Sequence, residues 1–199
     1  MKKAFKKTRE SARRAKSVRR PSASRSAAGE RLRVVFTTDR IRKRVDELAR
    51  QINLDLKGKT VHAIGVLENG FMFMPDLVRR LQIPVICHFL KAAMTDGMSG
   101  HVAVREIVFT PRIDVTGKDV LLIDGILQSG VTLDHLVRLM MGQGASSIRT
   151  AMLVEKVDDL KVNVAPDYVG FKTKAKFLVG YGLGFEERYR NLPYIACRA

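Results

Sequence analysis

The stretch DVLLIDGILQSGVTLDHLVRLMMGQG, residues 119–144, decides the fold. Its first part, DVLLIDGI (119–126), is the strongest continuous apolar run in the chain. A run of that length predicts a strand buried on both faces. The chain then turns tightly at Gln128, Ser129 and Gly130 into an amphipathic segment that Gly142 and Gly144 end. Strand, turn and helix in that order form one half of a βαβ unit. Backbone N–H groups at the helix start, the hydroxyls of Ser129 and Thr132, and a glycine for close approach make an anion site. In isolation the same stretch also reads as an ordinary N-capped helix start.

Working outward, the pattern repeats. Upstream, DRIRKRVDELARQINLDLK (39–57) places Ile41, Val45, Leu48, Ile52 and Leu56 at helical spacings. Thr37, Thr38 or Asp39 can cap that helix, and Gly58 follows its end. VHAIGVL (61–67) and IPVICHFL (83–90) read as buried strands, with a turn and helix over 69–81 between them. The segment 91–104, with Gly97 and Gly100, reads as a mobile loop before a strand at REIVFT (105–110). Downstream, SIRTAMLVEK (147–156), YVGF (168–171) and FLVGYGL (177–183) read as strands. Strands alternating with helices predict an α/β fold, a mainly parallel sheet flanked by helices. Ligands of such sheets sit at the carboxyl ends of strands near a switch point, which points again to the turn at 128–132.

Charge divides the chain. Lys and Arg number 36 against 20 Asp and Glu, a formal net charge of +16. Residues 1–31 carry twelve of the basic residues against only Glu10 and Glu30, and so hold +10 of that total. This predicts a basic arm over 1–31 that cannot fold alone, and a domain over 32–199. Three readings of the arm stand: a solvated tail, a nonspecific nucleic-acid binder acting by counterion release, or an organelle transit peptide. Two cysteines, Cys87 and Cys197, exclude a disulfide scaffold and point to a reducing compartment, the cytoplasm by default. No apolar run reaches the roughly 20 residues of a membrane span. The four histidines have no metal-ligand spacing, so no zinc site is expected. Cys87 is expected in the core, and Met72, Met74, Met140 and Met141 in core or subunit contacts.

DVLLIDGILQSGVTLDHLV resembles the phosphoribosyl-diphosphate (PRPP) motif of type I phosphoribosyltransferases. GVLENGFMFMPDLVRRLQIPV (65–85) and PDYVGFKTKAKFLVGYGLGFEERYRNLPYI (166–195) resemble the diphosphate loop and purine-binding end of hypoxanthine-guanine phosphoribosyltransferases. The resemblance spans about 34–196. It implies the type I phosphoribosyltransferase fold, with a small hood formed partly by the C-terminal segment. It also implies PRPP, IMP or GMP as ligands, Mg²⁺ as cofactor if the protein is active, and a homo-oligomer. By the same resemblance, Ser129, Gly130 and Thr132 cradle the 5′-phosphate, Lys156 donates to the purine O6, and Phe177 and Leu178 contact the base. Arg190, Leu67 and Glu68 fall in the diphosphate region, although Arg190 also reads as a helix-surface partner of Glu186.

The sequence departs from the family pattern at five places. Asp124-Gly125 stands where the family has two adjacent acids, leaving Asp124 alone for ribose or metal. Gln128 replaces the proton-handling Asp, and an amide cannot take a proton near neutral pH. Gly184 replaces a metal-binding Asp, Leu67-Glu68-Asn69 replaces Leu-Lys-Gly, and AAMTDG (92–97) lacks a Ser-Tyr pair. Asp96 and Asp124 are the acids left to assume a lost carboxylate role. The expectation is a nucleotide-binding protein whose transferase activity is weak or lost. An active salvage enzyme making IMP or GMP, and a nucleic-acid-associated scaffold using the arm, are the alternatives.

Overall fold

The computed structural model describes residues 24–25, 31–96, 102–109 and 113–198. Its main sheet has six strands: β3 (Val61–Leu67), β4 (Val85–Asp96), β5 (Val102–Phe109), β6 (Asp119–Leu127), β7 (Ser147–Lys156) and β8 (Tyr168–Thr173). Their order is β5-β4-β3-β6-β7-β8. All pairs are parallel except β4 with β5. A second sheet, the hood, comes from the two ends of the described chain. It orders β1 (Ser24–Arg25), β2 (Arg31–Phe36), β10 (Ile195–Arg198) and β9 (Leu178–Val179) as β1-β2-β10-β9, all antiparallel.

Helices cover both faces of the main sheet, so its central strands are apolar on both sides. Helix α1 (Thr38–Asp55) begins where the Thr37 side chain accepts from the Arg40 N–H, satisfying one orphan donor of the first turn. It buries Ile41, Val45, Leu48, Ala49 and Ile52 as one stripe, together with α2 (Phe73–Val78). Helix α3 (Val131–Gly142) covers the other face with Leu133, Leu136 and Met140. Strand β6 alternates accordingly: Leu121 and Ile123 face α1, while Val120 and Leu122 face α3. The α/β class, the parallel sheet and the hood all match expectation.

Several local expectations need correction. The predicted loop over 91–104 is largely strand, because β4 continues to Asp96 and pairs with β5 from Val102. Antiparallel pairing satisfies the backbone there, so no side-chain periodicity is needed to hold it. Residues 97–101 lie outside the described residues, as does most of the predicted arm. Cys87 is exposed rather than core, as are Ile86 and Phe89 beside it. These residues lie on β4, toward the edge of the sheet, where burial of the central strands gives way. The expected strand 177–183 is strand only at Leu178–Val179. Beyond it, Gly180 and Gly182 take φ of +97° and +94° and fold the chain back on itself.

Candidate functional site

Strands β3 and β6 are neighbours, but the chain leaves them for opposite halves of the sheet. Their carboxyl ends therefore bound the crevice where the strand order reverses. The loop after β6 forms its first wall. Gly130 takes φ +81°, which starts α3 without a side chain at the turn. A Cβ there would meet Val164 at 2.7 Å and Val162 at 2.8 Å, since the chain after β7 folds across the turn. The Ser129 carbonyl accepts from the Lys161 N–H at 2.9 Å, pinning that crossing segment. Ser129, Gly130 and Thr132 line a cavity of about 810 Å³ with Asp124, Gln128, Asn69 and Asp159. A neutral loop at the N-terminus of a twelve-residue helix suits a phosphate group.

Asp124 enters this cavity from the end of β6. Its Oδ1 accepts from the Gly125 N–H at 2.6 Å. Burial pushes its carboxyl up to about 7, against the opposing pull of the Gly125 and Ile126 N–H groups. No ion pair among the described residues involves it. Gly125 has no room for a side chain, because a Cβ would collide with the carbonyl of Asn69. A second acid at 125 would thus require the loop after β3 to move.

A second cavity, of about 400 Å³, adjoins the first under the hood. Lys156, Phe177, Leu178 and Gly184 line it, and Asn69, Ile126, Gln128 and Asp159 are common to both cavities. Lys156 is only 7% exposed, not an exposed strand-end lysine. It forms an ion pair with Asp159, whose carboxylate also accepts from Gln128 Nε2 at 3.2 Å. The Lys156 hydrogen bond chiefly holds the Asp159 carboxyl below its usual range. Leu178 is buried, whereas the Phe177 ring is 62% exposed over the pocket mouth and edge-on to Phe185 at 6.4 Å. Phe177 takes φ +49°, a left-handed conformation that costs an ordinary residue about 1–2 kcal/mol. Asp159 is the site residue that sequence reasoning missed. Its one signal was the acid pair Asp158-Asp159 directly after the strand that ends in Lys156.

The loop after β3 forms the remaining wall. It begins with a cis peptide between Leu67 and Glu68. Asn69 lines both cavities, but Leu67, Glu68 and Arg190 line neither. Arg190 lies in the hood turn and not on a helix, and Arg188, not Arg190, pairs with Glu186. Arg190 Nη1 donates to Asn69 Oδ1 and to the Gly182 carbonyl, both at 2.8 Å. Its Nη2 pairs with Glu68 Oε2 at 3.0 Å, and its Nε is enclosed without a partner. Glu68 Oε1 accepts from Lys91 at 2.9 Å. Lys91 first, and Arg190 after it, hold the Glu68 carboxyl below its ordinary value. The guanidinium fills the space beside Gly184, where a Cβ would sit 2.6 Å from Arg190 Cζ. Asp96 ends β4, and its side chain lies outside the described residues.

An open α/β sheet with an anion cradle at its switch point and a second pocket under an antiparallel hood is the architecture that the resemblance to type I phosphoribosyltransferases implies. Residues 35–186 match the model of the phosphoribosyl transferase domain family. The chain is 40% identical to the hypoxanthine-guanine phosphoribosyltransferase of Dictyostelium discoideum, over 81% of this chain and 92% of that one. It is 34% identical to the Bacillus subtilis enzyme of that name, over 82% of this chain and 91% of that one. A Bacillus anthracis hypoxanthine-guanine phosphoribosyltransferase superposes with a TM-score of 0.74 at 32% identity, covering 83% of this chain and 97% of the other. The chain therefore belongs to the hypoxanthine-guanine phosphoribosyltransferase family.

Proposed function

We propose that the protein binds a purine nucleoside 5′-monophosphate, IMP or GMP, or PRPP, and that its transferase activity is weak or lost. The observation that carries this reading is the continuity of the two cavities through Asn69, Ile126, Gln128 and Asp159. The cradle of Ser129, Gly130 and Thr132 takes the 5′-phosphate through backbone N–H groups and hydroxyls. Lys156 donates to the O6 of the base while Asp159 orients its ammonium. Phe177 covers the ring, and Leu178 packs along it.

Turnover requires purine N9 to displace diphosphate from ribose C1′ through an oxocarbenium-like transition state. Charge must then be balanced on the leaving group, and a proton handled on the base. Gln128 cannot take that proton. Of the carboxylates lining the cradle cavity, Asp158 and Asp159 pair with Lys174 and Lys156, so Asp124, outside any ion pair among the described residues, is the one that would hold a magnesium ion. Bound there, it would neutralise charge on the leaving diphosphate.

The reading of a working salvage enzyme is favoured by one specific feature. Asp159 puts a carboxylate beside Gln128, close to the place from which one is missing. Measuring IMP binding by calorimetry, alongside PRPP- and Mg²⁺-dependent IMP formation, separates the readings. Binding without product supports ours. Product that Lys156→Ala abolishes would establish the enzyme instead. The arm over 1–31 is proposed as a nonspecific, salt-sensitive nucleic-acid contact, which deleting residues 1–23, short of the hood strand β1, would weaken without changing IMP binding. A homo-oligomer and a cytoplasmic location complete the proposal. No helix among the described residues is long and apolar enough to cross a membrane.

A further inference from the structure

Lys91 on β4 and Arg190 in the hood converge from separate parts of the chain on one carboxylate. Glu68 gives one oxygen to each, Oε1 to Lys91 at 2.9 Å and Oε2 to Arg190 at 3.0 Å. The cluster opens to solvent: the Lys91 side chain is 57% exposed and that of Glu68 36%. It also abuts the cavities, since Asn69 and Gly184 line them and both touch the Arg190 side chain or its immediate space. Arg190 is held from behind by Asn69 Oδ1 and the Gly182 carbonyl, and its enclosed Nε has no partner. The guanidinium is therefore fixed in place, with Nη2 turned to Glu68. Two cations braced around one small anion describe an anion site that the protein fills with its own side chain.

We propose that Glu68 is an internal counter-ion that occupies this anion site and makes the protein discriminate against a diphosphate while leaving monophosphate binding at the Ser129–Thr132 cradle untouched. The proposal rests on the reading of the cradle as the 5′-phosphate site, from which Asn69, lining the same cavity and bonded to Arg190, leads to the Glu68 cluster. The pairs that Glu68 makes are too exposed to resist exchange strongly, because solvent-facing ion pairs contribute little. The discrimination comes instead from the retained negative charge. A diphosphate reaching Lys91 and Arg190 must lie within a few ångströms of a carboxylate that cannot leave the loop. A monophosphate held at the cradle lies in a cavity that Glu68 does not line, and the Asp158 and Asp159 carboxylates there are each paired with a lysine.

The test is calorimetry on the full chain with inorganic pyrophosphate, in the absence of magnesium, and separately with IMP. Glu68→Gln keeps the shape of the side chain and removes its charge. Glu47→Gln makes the same charge change on α1, where Glu47 pairs with Arg44, far along the chain from the cluster. The expected result is pyrophosphate affinity raised at least about tenfold by Glu68→Gln and unchanged by Glu47→Gln, with IMP affinity within about twofold throughout. Pyrophosphate binding that is unchanged or weakened in Glu68→Gln overturns the proposal, and a lower melting temperature would then show a brace rather than a counter-ion. Equal tightening of IMP also overturns it, since that is a general electrostatic effect. Failure of IMP to bind any of the three proteins would remove the cradle reading and leave the pyrophosphate comparison to decide the counter-ion by itself.

Discussion

The loop after β6 and the loop after β3 leave the same switch point, yet they prepare for anions in opposite ways. The first is neutral: Ser129, Gly130 and Thr132 offer hydroxyls and N–H groups, and no carboxylate side chain belongs to it. The second carries Glu68 and locks it to Lys91 and Arg190. A site made from backbone survives drift in the side chains around it, because its donors belong to every residue type. A site made from side-chain charge can be inverted by one substitution. On the proposed reading, that difference is why the end of the crevice assigned to the 5′-phosphate is intact and the end beside Glu68 is not.

Four experiments break or sharpen the contrast. Lys156→Ala removes the one buried cation of the base pocket, and calorimetry should show IMP affinity reduced about 100-fold. An unchanged affinity would mean that Lys156 serves only Asp159. Gly125→Ala forces a Cβ against the Asn69 carbonyl, a backbone atom with little freedom to move. Thermal unfolding should show a loss of about 1–3 kcal/mol. Unaltered stability would mean that the loop after β3 shifts freely, and then the missing acid at 125 could be restored.

Asp124→Asn tests the half-buried acid. Its folded-state carboxyl lies near 7, above its ordinary value of 3.8, so the folded protein holds the proton more tightly than the unfolded chain. Stability from this group is therefore full below about pH 4 and lost as pH rises toward 7. The variant should be more stable than the parent at pH 8, by about 2 kcal/mol given the side chain's border on the cavity, with the gain vanishing near pH 4. A gain that does not depend on pH would exclude the titration. The smallest effect is expected at the cradle itself. Ser129→Ala should weaken IMP only about fivefold, near 1 kcal/mol, because backbone donors remain. A much larger loss would mean that the hydroxyl, not the backbone, carries the phosphate.

Much of the fold was legible because it is written in neighbouring residues. The stripe of α1, the buried run of β6 and the turn at Gly130 each show in a few consecutive positions, and the structure follows them closely. The hood strands β2 and β10 were not legible as strands, since each is short and finds its partner at the far end of the chain. The β4–β5 hairpin was hidden for a different reason: Ala, Thr and glycine around its tip read as loop, while backbone pairing made it strand. Arg190 looked like half of a local i, i+4 pair with Glu186. Its side-chain partners, Glu68 and Asn69, lie on the loop after β3, with Asn69 121 positions away.

By its resemblance to the family the sequence implied that Gly125, Gln128 and Gly184 stand where acids are usual; by itself it determined the alternation of strands and helices and the neutral turn at Ser129–Thr132. These follow from residue type and spacing over short spans, which local sterics and hydrophobic periodicity dictate. Only the tertiary structure decided what took the place of the missing groups. It set Asn69 against Gly125, Arg190 beside Gly184, and Asp159 between Lys156 and Gln128. Such arrangements depend on distances between elements that meet only when the sheet and hood assemble, and charge and close contact fall off within a few ångströms.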